Sequence, residues 1–128
     1  MKSSMQIKHL LAGAGILAVC SVPSPIVQAA TAYITNEKDN TISMVDMDKL
    51  EVVKTVRVGQ RPRGIIMNAD GTEVFVCTSD DNRITVLDAK TLEVKYHLPS
   101  GPDPELFILH PDGRTLYIAN EDDNMVTV

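Results

Sequence analysis

Apolar and polar residues alternate along much of this chain with the period of two that is typical of β-strands. In the segment LEVKYHL at 92–98, the apolar residues share one face, and Glu93, Lys95 and His97 share the other. The earlier segment YITNEKDNTISMVD predicts two strands, at 33–35 and 41–46, joined by a polar turn. A further strand is predicted at 50–58. The pattern contains no helical period.

Two short runs, at 65–67 and 107–109, are apolar without alternation. Such runs predict strands that are buried on both faces. Each run is preceded by a Gly/Pro-rich connection and followed by a turn that ends in Asp-Gly, which predicts a tight hairpin because Gly adopts positive φ. The connections lie at 59–64 and 101–106, and the turns lie at 68–71 and 110–113.

All of these features recur at a constant interval of 42 residues. A constant period of about this size is the signature of a repeat architecture. The repeats lie near 33–74, 75–116 and 117–128. The interval separates two sets of equivalent residues, which are Tyr33, Phe75 and Tyr117, and Asn40, Asn82 and Asn124.

Each period contains four short strands, which is the composition of one β-propeller blade. A β-sandwich also consists of short strands and turns, but it does not require a constant period. The predicted fold class is therefore all-β, a β-propeller with four-stranded blades. Residues 30–128 cover about two and a third periods, whereas closed propellers have about 4–8 blades. We therefore expect this sequence to be the N-terminal fragment of a larger propeller.

Residues 1–29 are predicted to be a signal peptide. Lys2 and Lys8 precede an apolar run at 10–20, which is shorter than the roughly 20 residues of a membrane anchor. Ala29 then ends a segment suited to signal peptidase. A core helix is the alternative, but the glycines and prolines of this segment disfavour it.

The remaining domain, 30–128, is expected in the periplasm, and a lipoprotein or a cell-surface location is the alternative. Leu17–Cys20 resembles a lipobox with Cys20 as the lipidated residue. However, Val19 stands where such signals carry a small residue, which favours cleavage after Ala29. No other segment is apolar enough to be transmembrane.

The charge and the cysteine content of the chain bear on its possible partners and on disulfide bonding. Residues 30–128 carry ten basic and 17 acidic residues, a formal charge of −7. This balance argues against a nucleic-acid partner. If Cys20 leaves with the signal peptide, Cys77 is alone and forms no intramolecular disulfide. The chain contains no Trp.

The loops on one end of the propeller are the predicted ligand-binding rim. If the apolar strands run down the channel, the hairpin turns and the Gly/Pro-rich connections share the end opposite the Asp-Gly turns. Loops on a rigid scaffold commonly carry function. Arg61 and Arg63 lie in one connection, and Asp103 and Glu105 take the equivalent positions in the next. This change of sign indicates either a charged ligand or an ion pair between blades, and solvated turn residues are the plainer alternative.

Asp39, Asp81 and Asp123 of the hairpin turns are the remaining rim candidates. A calcium site at 121–123 is an alternative, but the spacing matches no known calcium loop, so a turn is favoured. Neither His97 nor His110 has a second ligand at metal-binding spacing. No catalytic triad, phosphate loop or dinucleotide motif is present. No catalytic, metal or cofactor-binding residue is therefore predicted, and no cofactor.

The segments Tyr-Ile-Thr-Asn at 33–36 and Tyr-Ile-Ala-Asn at 117–120 resemble the signature of the YVTN-repeat β-propellers. The second copy departs from this signature, with Phe-Val-Cys-Thr at 75–78. The runs at 36–42, 59–64 and 100–105 resemble the N-terminal blades of the exported β-propeller proteins associated with PQQ-dependent catabolism. The resemblance implies a seven-bladed periplasmic protein found beside transport components and quinoprotein alcohol oxidation. The resemblance assigns no catalytic residue to this sequence.

The sequence thus predicts an exported, non-catalytic propeller that is accessory to PQQ-dependent alcohol oxidation and transport. Its partner is expected to be a small molecule or a periplasmic protein, such as a quinoprotein dehydrogenase or a transport component. One alternative is an oxidoreductase or lactonase with its site in C-terminal blades that this sequence does not contain. The absence of Trp argues against a quinoprotein core. The other alternative is a cell-surface adhesion propeller, because YVTN repeats also occur in surface proteins.

Overall fold

Short runs of β-branched and aromatic residues, separated by turns rich in Asn, Asp and Gly, form ten strands within residues 30–128. The computed structural model describes this range, so the predicted signal peptide and the lipidation alternative at Cys20 lie outside the described residues. No helix in the described range is long and apolar enough to cross a membrane. The strands are β1 (Thr31–Asn36), β2 (Thr41–Asp46), β3 (Glu51–Arg57), β4 (Pro62–Met67), β5 (Glu73–Thr78), β6 (Arg83–Asp88), β7 (Val94–Pro99), β8 (Pro104–Leu109), β9 (Leu116–Asn120) and β10 (Met125–Thr127).

The strands form three antiparallel sheets. The first sheet has the order β1-β2-β3, the second β4-β5-β6-β7, and the third β8-β9-β10. The second sheet is the predicted blade, with the apolar strand β4 at one edge, the hairpin β5–β6 in the middle and the amphipathic β7 at the other edge. The predicted all-β, propeller-type architecture is therefore confirmed.

Two predictions about the apolar strands are wrong. β4 begins at Pro62 rather than Ile65, because Pro62 pairs with Thr78 across a shift in register. Nor are β4 and β8 buried on both faces, since Ile65 is half-buried and Ile108 is 64% exposed on a side that no described sheet covers. The strands buried on both faces are the central strands β5 and β6, which have a sheet on either side.

The core consists of two interfaces between sheets that repeat the same packing. The interface between the first and second sheets contains Tyr33, Ile42, Met44 and Val56, and opposite them Ile65, Val74 and Val76. The interface between the second and third sheets contains the residues 42 positions later, which are Phe75, Ile84, Val86 and Leu98, and Phe107, Leu116 and Ile118. Successive sheets therefore pack with equivalent residues in contact. Strands β4 and β8 approach each other closely at Gly64, where a Cβ would lie 2.6 Å from the backbone oxygen of Glu105.

The two ends of the strands are closed by different turns. At one end, Gly71 and Gly113 adopt φ values of 72° and 68° in the Asp-Gly turns, as predicted. At the other end, each hairpin turn finishes with an Asn in the left-handed conformation, at φ 60° for Asn40, 53° for Asn82 and 56° for Asn124. Asn tolerates this conformation better than most residues because its short polar side chain hydrogen-bonds locally.

The side chains of these Asn residues fix the next connection in place. Asn40 Oδ1 accepts a hydrogen bond of 2.8 Å from the backbone N–H of Arg61, and Asn82 Oδ1 accepts one of 2.9 Å from that of Asp103. The backbone oxygens of Arg61 and Asp103 in turn accept from the N–H groups of Ser79 and Glu121, at 3.1 and 2.9 Å. Each connection is thereby held between the turns of two successive sheets.

Carboxylates stabilise the turns that follow β2 and β6. Asp46 Oδ1 accepts from the N–H groups of Asp48 and Lys49, and Asp88 Oδ1 accepts from those of Lys90 and Thr91. These backbone donors favour the charged carboxylate, so they lower the pKa of Asp46 and of Asp88 below the ordinary value.

Substitution of Asn82 tests how the connection is held. We expect Asn82→Gly to lower the free energy of unfolding by about 1 kcal/mol, because one hydrogen bond is lost while the positive φ remains accessible. Asn82→Ala loses the same bond, keeps a Cβ in the left-handed conformation and lacks the polar side chain that makes Asn tolerate it, which adds about 1 kcal/mol. Urea unfolding of both variants gives the comparison. Equal stability of the Ala variant and the wild type would contradict the role assigned to Asn82.

The turn carboxylates predict an acid-dependent loss of stability. When folding lowers the pKa of a carboxyl group, the charged group stabilises the folded state. This stabilisation is complete above the pKa of the unfolded state, about 3.9 for Asp, and is lost as the pH falls through the pKa of the folded state. Asp88→Asn keeps the accepting oxygen but removes the charge. Its melting temperature should be below that of the wild type at pH 6, and the difference should decrease as the pH falls below about 3.9. A difference that is independent of pH would show that the charge of Asp88 is immaterial.

Candidate functional site

The rim at the hairpin-turn end contains an ion pair between equivalent positions of successive sheets. Both oxygens of the Asp103 carboxylate accept hydrogen bonds from Nη2 of Arg61, at 2.6 and 2.7 Å. The two residues lie 42 positions apart, and both have positive φ, at 49° and 50°. Asp103 is the main cause of a raised pKa for Arg61, and partial burial opposes it. The change of charge between the two connections predicted either a charged ligand or an ion pair between blades. The structure contains the ion pair, and ligand binding stays a prediction.

Arg61 also faces carboxylates of the first and second sheets. Its Nη1 lies 3.1 Å from Oδ1 of Asp80, and its Nε lies 3.8 Å from Oε1 of Glu37. These negative charges also contribute to the raised pKa of Arg61. One guanidinium group therefore connects the hairpin turn of the first sheet, that of the second sheet and the connection into the third.

Arg63 makes a second set of ion pairs beside the first. It pairs with Glu105, its nearest carboxylate, and its Nη1 lies 3.3 Å from Oε2 of Glu121. Its Nε lies 3.9 Å from the same Glu37 oxygen that faces Arg61. We call the whole set the rim cluster. Its members are Arg61, Arg63, Glu37, Asp80, Asp103, Glu105 and Glu121.

The rim cluster has an excess of negative charge. Its two arginines face five carboxylates, which leaves a formal charge of −3 among these described residues. Glu37, Asp80 and Glu121 have side-chain exposures of 51–55%, whereas Asp103 has 13%. Asp103 thus has mainly a structural role, and the exposed carboxylates are available to an external group.

The three other predicted rim residues lie outside the cluster. Asp81 Oδ2 accepts a hydrogen bond of 2.9 Å from the backbone N–H of Gln60, and Asp123 Oδ1 accepts one of 2.9 Å from that of Met125. Asp39 is exposed in its turn. Asp81 and Asp123 therefore stabilise loops, as the turn interpretation of 121–123 expects. Across residues 30–128, the structure contains no group of three or more His, Cys, Asp or Glu placed to hold a metal ion.

Sequence reasoning did not assign Glu37, Asp80 and Glu121 to the site. The sequence does contain a signal for Glu37 and Glu121, because both occupy the same position of the repeat, the first residue of the hairpin turn. Ser79 takes this position in the second sheet and donates a buried hydrogen bond of 2.6 Å to the backbone oxygen of Pro104. The acid that faces Arg61 there is the next residue, Asp80.

The chemically reactive side chains of the described range have structural contacts. Cys77 is fully buried, and burial raises the pKa of its thiol to about 12. His97 Nδ1 lies 3.2 Å from the hydroxyl of Thr85, and its pKa is lowered, first by burial and then by the charge of Arg83. His110 contacts Asp112 in the Asp-Gly turn at the opposite end of the strands.

Comparison with known proteins supports the fold. No protein-family model matches the chain, and no curated protein matches it. Hydrazine synthase of Kuenenia stuttgartiensis is similar in structure, with a TM-score of 0.68, 25% identity, and coverage of 72% of this chain and 26% of that chain. Dihydro-haem d1 dehydrogenase NirN has a TM-score of 0.63, 20% identity, and coverage of 80% and 23%. AztD of Citrobacter koseri has a TM-score of 0.53, 24% identity, and coverage of 66% and 24%.

These solved structures are of the β-propeller type, in agreement with the three packed sheets. The chain spans about a quarter of the length of each, at 26%, 23% and 24%. At these identities the likeness concerns the arrangement of strands and blades.

A double-variant cycle tests the ion pair at the centre of the rim cluster. Asp103→Asn should destabilise the wild type, because it removes the best partner of Arg61. In an Arg61→Met background the same substitution should stabilise the protein, because it removes the charge of a carboxylate that is only 13% exposed and has lost its arginine partner. Urea unfolding at low salt measures both effects, and 1 M salt should reduce them. Asp122→Asn, which removes an exposed charge from the turn at 121–124, is the control. The same sign in both backgrounds would contradict the pairing.

Proposed function

We propose that this chain belongs to an exported, non-catalytic β-propeller that binds a partner at the rim cluster. The observation that carries this proposal is the excess of exposed carboxylates around two arginines that are already paired. Binding sites are commonly built from loops on a rigid scaffold, and here the turns and connections are fixed by backbone hydrogen bonds to Asn40 and Asn82.

The charge of the rim cluster indicates the chemistry of the partner. Glu37 and Glu121 are more than half exposed at the edges of the cluster, so an incoming positive charge reaches them without displacing Arg61 or Arg63. A partner with a basic surface is therefore favoured, and it would be attracted over a distance of about 10 Å at moderate salt.

The more specific part of the proposal is a role beside PQQ-dependent alcohol oxidation and its associated transport. It is supported by the resemblance of 36–42, 59–64 and 100–105 to the N-terminal blades of propellers of that system. The partner would be a quinoprotein dehydrogenase or a transport component in the periplasm, which requires export through the signal peptide at 1–29.

A non-catalytic role is supported by the environments of the reactive groups. The Cys77 thiol is buried and its pKa is raised to about 12, so it is protonated at neutral pH. His97 lies within strand β7 and contacts Thr85, whereas His110 lies in an Asp-Gly turn and contacts Asp112. NirN and hydrazine synthase are enzymes by name, but the likeness to them concerns the fold and assigns no reaction to this chain.

Binding to the purified quinoprotein alcohol dehydrogenase of the same organism tests the proposal. Calorimetric titration at low salt should detect a complex that weakens as salt increases. The variant Glu37→Gln/Glu121→Gln should bind about tenfold more weakly, because two exposed charges are lost from the rim.

The matched control is Asp70→Asn/Asp112→Asn, which removes two carboxylates from the Asp-Gly turns at the opposite end of the strands. It should bind like the wild type. Equal weakening of both double variants would exclude the rim as the binding surface. Absence of binding to the dehydrogenase and to the solubilised transport component would overturn the proposed partner class.

A further inference from the structure

The carboxylates of the rim cluster differ in how far their hydrogen-bonding capacity is used within residues 30–128. Both oxygens of Asp103 accept hydrogen bonds from Arg61, at 2.6 and 2.7 Å. Glu121 accepts one long hydrogen bond, of 3.3 Å. Glu37 lies 3.8 and 3.9 Å from the two arginines, which is beyond hydrogen-bond distance. An ionised carboxylate has about four acceptor sites, so Glu37 and Glu121 retain most of theirs.

A gap separates these two glutamates in the row of hairpin turns. They occupy equivalent positions in the first and third sheets, and the second sheet carries Ser79 at this position. Because successive sheets pack with equivalent residues in contact, Ser79 lies between Glu37 and Glu121. Its side chain is turned inward, since Ser79 is 1% exposed and its hydroxyl donates to the backbone oxygen of Pro104. The row therefore has a gap at Ser79, with an exposed carboxylate on either side.

The contacts of Arg63 show the size of the group that this gap accommodates. Its Nη1 lies 3.3 Å from Oε2 of Glu121, and its Nε lies 3.9 Å from Oε1 of Glu37. One guanidinium group therefore reaches carboxylates of the first and third sheets at the same time. The nearest partner of Arg63 is Glu105, so Arg63 does not neutralise the two glutamates. Their separation matches a second guanidinium group, whose five donors lie in one plane.

We infer that the rim cluster recognises an arginine side chain of the partner, which enters the gap between Glu37 and Glu121 and donates to both carboxylates. This inference rests on the binding role proposed above and names the group that is bound. A guanidinium group is favoured because its planar fork donates to two carboxylates at once, whereas an ammonium group is a compact, strongly hydrated charge. The formal charge of −3 in the cluster compensates the added positive charge beside Arg63.

Hydrogen bonds to the backbone hold the surroundings of the gap in place. The hydroxyl of Thr35 donates a hydrogen bond of 2.9 Å to the backbone oxygen of Arg63. The backbone N–H of Glu121 donates one of 2.9 Å to the backbone oxygen of Asp103. A preorganised site loses less conformational freedom when it binds, which favours affinity. The gap is formed by the turns of three successive sheets, so it does not depend on sheets at either end.

An NMR titration of the full 128-residue chain at low salt tests the inference. The probe is the peptide Gly-Gly-Arg-Gly-Gly with blocked termini, which carries a single positive charge. The backbone amide signals of Glu37, Ser79 and Glu121 should shift along one saturation curve. The same peptide with lysine in place of arginine should bind about fivefold more weakly. Equal affinity of the two peptides would overturn the inference, as would the absence of shifts at these three residues.

Single substitutions test whether one group contacts both glutamates. Glu37→Gln and Glu121→Gln should each weaken the binding of the arginine peptide about fivefold, because its single guanidinium group donates to both carboxylates. Asp122→Asn is the matched control. Asp122 is exposed in the same turn as Glu121 and belongs to none of the ion pairs of the rim cluster, so this variant should bind like the wild type. Sensitivity to only one of the two glutamates would contradict an arginine between them.

The peptide titration and the dehydrogenase titration can fail independently of each other. If the dehydrogenase binds through Glu37 and Glu121 but the arginine and lysine peptides bind equally, the inference is overturned and the proposed function stands. If the arginine peptide binds as expected but neither the dehydrogenase nor the transport component binds, the proposed partner class is overturned and the recognition of arginine stands.

Discussion

The packing of each sheet's apolar face against the next sheet is the interaction on which the rest of the structure depends. In the second sheet, Val74 and Val76 contact the first sheet, and Cys77 and Ile84 belong to the cluster shared with the third. The central strands are therefore apolar at adjacent positions, a pattern typical of strands that are covered on both faces. Insertion of one residue within such a strand would exchange its two faces, so the spacing within each repeat is constrained by both neighbours at once.

The rim follows from this packing. Because successive sheets place equivalent residues in contact, they also place the turns and connections of neighbouring sheets side by side. Arg61 and Arg63 consequently reach carboxylates of all three sheets, and each ion pair joins segments far apart in sequence. The arginines serve the scaffold, while the exposed acids around them give this end of the protein its charge.

The sequence predicted the parts of the fold that local pattern and turn chemistry determine. The bounds of β2 at 41–46 are as predicted, because alternation and two polar turns delimit it on both sides. The start of β4 was not predicted, since Pro62 joins the sheet through its partner Thr78, beyond a shift in register. Proline and glycine at 59–64 indicated a connection, and only the pairing shows where that connection ends.

The candidate site was predicted only in part, because some of its contacts depend on the packing of sheets and not on the local sequence. The change of sign between the connections is visible in the repeat, and it led to Arg61 and Asp103. The contacts of Glu37 and Asp80 with Arg61 depend on the lateral distance between neighbouring sheets. The spacing of residues along the chain does not give this distance. The burial of β5 and β6 on both faces likewise depends on how many sheets are stacked beside them.

The hydrogen bonds from Asn40 and Asn82 have a consequence for how such a protein diversifies. Each Asn holds the connection through a backbone N–H, which every residue other than proline provides whatever its side chain. Arginine and aspartate therefore occupy the same left-handed position in successive repeats with the same backbone geometry. Mutation at this position changes the charge of the residue and its ion-pair partner while the backbone hydrogen bond is kept, so duplicated repeats diverge in the ion pairs between their sheets before they diverge in backbone shape.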